Sequence, residues 1–231
     1  MNKKINKFVV LLYTVIFIKI YTILSSNMNL RKKEAINNAL LLKKFDVSWK
    51  ILKKSNKILK KTPIIFILIM FFWYNISHLL IPFIILFNHV KHVYSFIIIN
   101  IISFLIYFIF PVIPPRLLSL EKESPIELIN LTDYWFILFK KISKYIISKK
   151  KFKKKFNNVN QYAAFPSVHT AWAIWGILCS FNLNPIIFKF CLFHAVFTIF
   201  IIITFCHHYP IDILCGAVIS FICFIFFNYI F

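Results

Sequence analysis

Six runs of mostly apolar residues, each close to twenty long, recur along this chain at about 8–24, 63–87, 93–113, 163–181, 186–205 and 210–231. A helix crossing the hydrocarbon layer of a bilayer needs roughly 20 such residues. Inside that layer only helices and closed barrels satisfy every backbone polar group. The repetition therefore predicts an all-α integral membrane bundle of about six transmembrane helices. Composition agrees: 60% of the 231 residues are hydrophobic and 19% aromatic, with only two glycines, where soluble domains average about 45–50% apolar. The 8–24 run is read as a retained span. It also has the layout of a signal peptide, because Lys3, Lys4 and Lys7 precede it and Lys19 interrupts it, but it shows no small-x-small cleavage site.

The length suits one bundle, with residues 1–62 set apart as a hydrophobic segment plus a basic linker. Residues 25–62 carry eleven Lys/Arg, and Leu41, Phe45, Trp49, Leu52 and Leu59 recur near helical spacing. That pattern fits an amphipathic helix on the membrane surface, its lysines reaching anionic headgroups. A solvated linker or part of a targeting presequence fits it equally. The 114–162 loop carries eleven more, nine of them lysines between Lys140 and Lys155. The net charge of +21 does not point to nucleic acid, since the basic stretches are tethered between spans. The five cysteines, Cys179, Cys191, Cys206, Cys215 and Cys223, fall in the last three runs and read as small packing residues. Asn75, His78 and Pro82 in the second run are read as packing positions rather than a cavity-facing stripe.

Three polar islands stand at the edges of the later runs: Pro114-Pro115-Arg116, Ala163 to Trp172 containing Ser167 and His169, and His207-His208-Tyr209 through Asp212. If the last four runs alternate in direction, Arg116, His169 and His208 all emerge on one side of the membrane. Asp212 is the only acid after Asp133, and intramembrane ionisable groups are functional by default. Together these residues make a phosphoryl-transfer set. Arg116 offers a planar fork for phosphate oxygens. His208 can attack phosphorus as a neutral imidazole. Asp212, at i+4, can fix the tautomer of His208. His169 can give a proton to the leaving oxygen and later take one from the acceptor. Ser167 and the start of its helix can hold a phosphate oxygen. Taken singly, each histidine is more often a packed residue. A zinc hydrolase using His169, His207, His208 and Asp212, or a non-catalytic transporter or scaffold, are the rival classes.

These islands resemble those of the type 2 phosphatidic acid phosphatase superfamily, and most closely its inositolphosphotransferase-like branch, which includes inositol phosphorylceramide synthases. The branch's patterns Pro-Pro-x-Arg, Ala-Ala-x-Pro-Ser-x-His and Asn-His-Tyr-x-x-Asp read here as Pro114 to Arg116, Ala163 to His169 and His207 to Asp212. The resemblance covers roughly 63–231. It implies a six-helix membrane catalytic domain, no metal or organic cofactor, and transfer through a phosphohistidine at His208. It further implies a phospholipid donor and a lipid hydroxyl or water as acceptor. The sequence departs from the wider superfamily at Ile109 and Ile202, where a lysine and a second arginine are usual, and at His207, usually Asn. His207 or Lys122 is the candidate for a second cation, and Tyr209 for a supporting residue. The basic loops favour a cytosolic site by the positive-inside rule. The resemblance implies a lumenal or outward-facing one, in endomembranes or the plasma membrane. The lumenal reading is taken, because long loops and a lysine-rich codon bias weaken the charge rule.

Overall fold

The structure is a computed structural model that describes residues 31–42, 46–88, 92–121, 128 and 162–230, with Leu12 and Ile16. The described helices are α1 (Lys32–Leu42), α2 (Asp46–Lys61), α3 (Ile64–Asn88), α4 (Val93–Ile109), α5 (Pro115–Leu118), α6 (Val168–Ser180), α7 (Pro185–Thr204) and α8 (Pro210–Ile230). Three stretches, Ile64–Leu86, Pro185–Thr204 and Pro210–Phe227, are long and apolar enough to cross a membrane. α4 and α6 are apolar but shorter, at 17 and 13 residues. The chain is thus a mostly helical membrane protein, with three full-length candidate spans and two shorter apolar helices among the described residues. The 8–24 run apart from Leu12 and Ile16, Lys122 and the lysines of 140–155 lie outside the described residues, as does the His78 side chain.

Two expected spans lose their ends for one reason. Helix α4 stops at Ile109, because Pro111, Pro114 and Pro115 follow, and proline neither donates to a helix nor lets the residue before it stay helical. The freed chain extends instead. Val112 N–H donates to Tyr162 O at 3.0 Å and Ala164 N–H to Val112 O at 3.0 Å, making an isolated parallel bridge. The start of the expected 163–181 span is this bridge, and helix α6 begins only at Val168. Irregular backbone at membrane depth is tolerated where protein covers it, and Val112, Ile113, Ala163 and Ala164 are all buried. Helix α1 covers this segment: Asn38 Nδ2 donates to Pro111 O at 2.9 Å, and Ile113 N–H to Ala35 O at 3.3 Å.

Short, buried α6 is the hub, packing against α3, α4, α7 and α8. Its two indoles are satisfied by α4: Trp172 Nε1 donates to Asn100 Oδ1 at 3.0 Å and Trp175 Nε1 to Ser95 Oγ at 2.9 Å. Small residues let the helices close up, as in membrane interfaces generally. A Cβ on Gly176 would lie 2.6 Å from Ile81 Cγ2 of α3, and one on Gly216 would overlap the Ser167 carbonyl oxygen. Outward faces carry large apolar side chains, among them Phe66, Phe72, Ile186, Val196, Leu214 and Ile222. The bundle therefore carries bulky apolar side chains on its outer faces as well as in its core, where they pack among small and polar residues.

Helix α2 is amphipathic as its spacing predicts. Leu52, Ser55, Asn56 and Leu59 are buried, and Lys50, Lys53, Lys54, Lys57, Lys60 and Lys61 are exposed. Its apolar edge packs on α7 and α8, with Leu59 clustered with Ile67, Met70, Ile201 and Phe205. Leu41 belongs to α1 and is exposed, and Phe45 and the Trp49 side chain lie outside the described residues.

Candidate active site

The third island begins where α7 ends. Cys206 N–H bonds to Ile203 O at 3.0 Å and His207 N–H to Ile202 O at 2.8 Å. This is the Schellman pattern, which needs a left-handed residue just past the helix. Cys206 takes that place at φ 52°, where glycine is usual and an L side chain costs about 1–2 kcal/mol. The reversal carries the chain from α7 into α8 within a few residues and sets His207 and His208 between them. Burial pushes the Cys206 thiol up to about 12, so it serves as a packed apolar group. Helix α8 then starts with Pro210 at its first position. Asp212 reaches back to accept from Tyr209 N–H at 2.7 Å, the returning half of a capping box.

That cap aims the carboxylate at His208. His208 Nδ1 lies 3.4 Å from Asp212 Oδ2 and 2.7 Å from Ala164 O. A carbonyl only accepts, so Nδ1 holds the ring proton and Nε2 is left with its lone pair. Asp212 is fully buried, and its Oδ1 has no hydrogen-bond partner among the described residues. A buried, half-satisfied carboxylate is costly. It is kept beside a ring that becomes cationic when its other nitrogen bonds an electrophile.

Arg116 and His169 come to the same place. Arg116 N–H donates to Cys206 O at 3.0 Å, and its Nε donates to His207 Nδ1 at 2.9 Å. The His169 and His208 rings are 5.9 Å apart. Burial lowers the Arg116 guanidinium from its ordinary value, opposed by Tyr74, but an arginine starts high enough to stay charged. His207 departs from the sequence expectation of a second cation. Arginine has no acceptor, so His207 Nδ1 must accept, which requires a neutral ring. Burial, then Arg116, His208 and His169, hold its pKa well below the ordinary 6.5. His207 therefore orients the guanidinium and adds no positive charge.

Ser167 is tied to the same corner. It is fully buried at the N-cap of α6, where its Oγ accepts from Thr170 N–H at 3.3 Å and Thr170 Oγ1–H at 3.0 Å. Its hydroxyl shapes the start of the helix, and its N–H donates to Asp212 O at 2.9 Å, fastening α6 to α8. Tyr209 is fully buried and donates to Ile113 O at 3.1 Å, tying the third island to the first. Burial first, then Asp212 and Cys206, hold its phenol well above its ordinary value, so it remains a donor.

Sequence reasoning missed Tyr74. Its ring is stacked on His207 at 4.8 Å and 3°, and lies 4.7 Å from His169, with its hydroxyl 3.4 Å from His169 Nδ1. Its neighbour Asn75, read as a packing position, is instead exposed, its Nδ2 donating to Phe71 O at 2.7 Å of its own helix. The available signal was a phenol with a polar tip in the middle of an aliphatic and phenyl run.

The profile of the PAP2 superfamily, the type 2 phosphatidic acid phosphatases, matches residues 46–226, which takes in every one of these residues. The chain belongs to the PAP2 superfamily. No significant match is found among curated proteins or among solved structures. PAP2 membership makes the chain a lipid enzyme of the phosphatase or phosphotransferase type. The match starts at α2, inside the stretch that the sequence reading set apart as linker.

Proposed function

We propose that this PAP2 protein moves a phosphate-bearing head group from a phospholipid to a lipid hydroxyl through a phosphohistidine at His208. The observation that carries this reading is the Nδ1 environment of His208. Two acceptors, Ala164 O and Asp212 Oδ2, flank that nitrogen, so Nε2 is the nucleophile and positive charge on the ring is stabilised. In the first step His208 Nε2 forms a bond to phosphorus, the bond from phosphorus to the lipid oxygen breaks, and His169 protonates that oxygen. In the second, the acceptor hydroxyl gives its proton to His169 and attacks phosphorus, the N–P bond breaks, and His208 is regenerated. Arg116, oriented by His207, neutralises the phosphate oxygens. Every proton and bond is accounted for by side chains of this chain, so the scheme calls on no metal or organic cofactor.

The donor and acceptor class rests on the three islands, which resemble those of inositolphosphotransferases and inositol phosphorylceramide synthases. Water in place of the lipid hydroxyl gives a phosphatase from the same site. The six exposed lysines of α2 fit anionic headgroups. Leu59 shares a cluster with Phe205 at the end of α7, which puts that basic face at the site's end of the bundle. The site is read as lumenal or outward-facing, in endomembranes or the plasma membrane.

The test supplies detergent-solubilised protein with a phospholipid labelled in its phosphate, with ceramide and diacylglycerol as acceptors. Label is expected in a new lipid, and His208→Ala and His169→Ala each lower turnover by at least about a hundredfold. Label released as free phosphate makes the protein a phosphatase. Equal turnover in wild type and His208→Ala overturns the phosphohistidine.

A further inference from the structure

The two catalytic imidazoles differ in what stands at Nδ1, and the difference matches their tasks. His208 meets acceptors only, which favours a ring that ends a step carrying positive charge. His169 meets a phenol, with Tyr74 Oη 3.4 Å from its Nδ1. A hydroxyl is both donor and acceptor. It accepts from Nδ1–H when His169 is protonated and again in the neutral tautomer left after Nε2 has given up its proton, so Nε2 stays free to take the next one. A group that is acid in one step and base in the next has to be held in both states, and a carboxylate would trap it in the charged one. The Tyr74 ring has a second task. Its face is stacked on His207, whose Nδ1 accepts from Arg116 Nε. One side chain of α3 thus braces both the proton-transfer residue and the phosphate clamp.

Resting on the reading above, we propose that Tyr74 is a positioning residue that keeps His169 aligned in both protonation states through its hydroxyl and braces the His207–Arg116 arm through its ring. The groups beside His169 are Tyr74 on α3 and His207 and His208 in the α7–α8 connection, with Arg116 held on His207 and Asp212 on His208. Of these, Tyr74 is the one whose conservative variant removes a hydrogen bond and leaves every formal charge in place.

The experiment compares Tyr74→Phe with Tyr74→Leu, using the labelled phospholipid. Phe keeps the stack and loses the hydroxyl. It should lower kcat about tenfold with KM nearly unchanged, that being the order expected for one lost hydrogen bond. It should also move the alkaline limb of the rate profile downward by about half a pH unit, because the protonated ring loses its better partner. Leu loses both contacts and should raise KM as well. A second readout does not depend on turnover. Heavy-nitrogen-labelled histidine followed by NMR should show the His169 titration midpoint falling in Tyr74→Phe. Wild-type kinetics and an unmoved His169 midpoint in Tyr74→Phe would overturn the proposal, even with His208→Ala inactive. Activity surviving in His208→Ala would instead remove the phosphohistidine, and the His169 midpoint would still decide the role of Tyr74.

Discussion

At the scale of single residues, the site works by assigning protons through partners that have only one option. A carbonyl at Ala164 makes His208 Nδ1 a donor, and a guanidinium at Arg116 makes His207 Nδ1 an acceptor. The second assignment has a pH consequence. The folded pKa of His207 lies well below 6.5, so on acidification the unfolded chain takes up a proton before the folded one does. The stability contributed by neutral His207 is then complete above about pH 6.5 and falls as pH drops toward the folded value. Thermal unfolding in detergent at pH 7.5 and 5.5 should show a loss on acidification that is smaller in His207→Gln. The sequence made Arg116, His169, His208 and Asp212 visible because each is a rare polar group at the edge of an apolar run. It hid the charge state of His207, since a tautomer depends on a partner 91 positions away. It hid Tyr74 because an all-round apolar run gives no clue to which face turns inward.

At the scale of elements, two devices bring the islands together. The proline-rich stretch after α4 unwinds what reads as the end of a span and lays it against Ala163 and Ala164. Hydrophobic length alone could not reveal this, because 110–113 and 163–165 are as apolar as the helices they adjoin. The other device is the contact of Gly216 with the Ser167 carbonyl, one turn beyond Asp212. Gly216→Ala has to push α8 from the start of α6, separating His208 and Asp212 from His169. Misplacement of catalytic groups by about 1 Å can cost a hundredfold in rate, while overpacking costs typically 1–3 kcal/mol. Turnover should therefore fall much further than the melting temperature suggests. A Cβ on Gly176 meets Ile81 Cγ2 at 2.6 Å, which is also costly because that side chain is buried and stiff, but the overlap lies about two turns from His169, so turnover should stay closer to wild type than in Gly216→Ala. Equal losses in the two variants would show that the α6–α8 contact has no special bearing on the site.

At the scale of the whole molecule, the bundle is built around the shortest of its apolar helices. Helix α6 is only 13 residues long, about 20 Å at 1.5 Å per residue, and its start at Ser167 and Val168 is buried within the protein. The all-α membrane class was plain from the apolar runs. The number of full spans was not, since a run interrupted by proline counts toward length without forming helix. The central claim is a covalent bond between His208 and phosphorus, and the most direct measurement is to trap it. Protein mixed with a phospholipid radiolabelled in its phosphate is quenched in alkali within the first turnover and separated from lipid. The account predicts protein-bound label that survives alkali, is lost in acid, and is absent from His208→Ala. Turnover of the lipid with no labelled protein, or label that persists in His208→Ala, would contradict it.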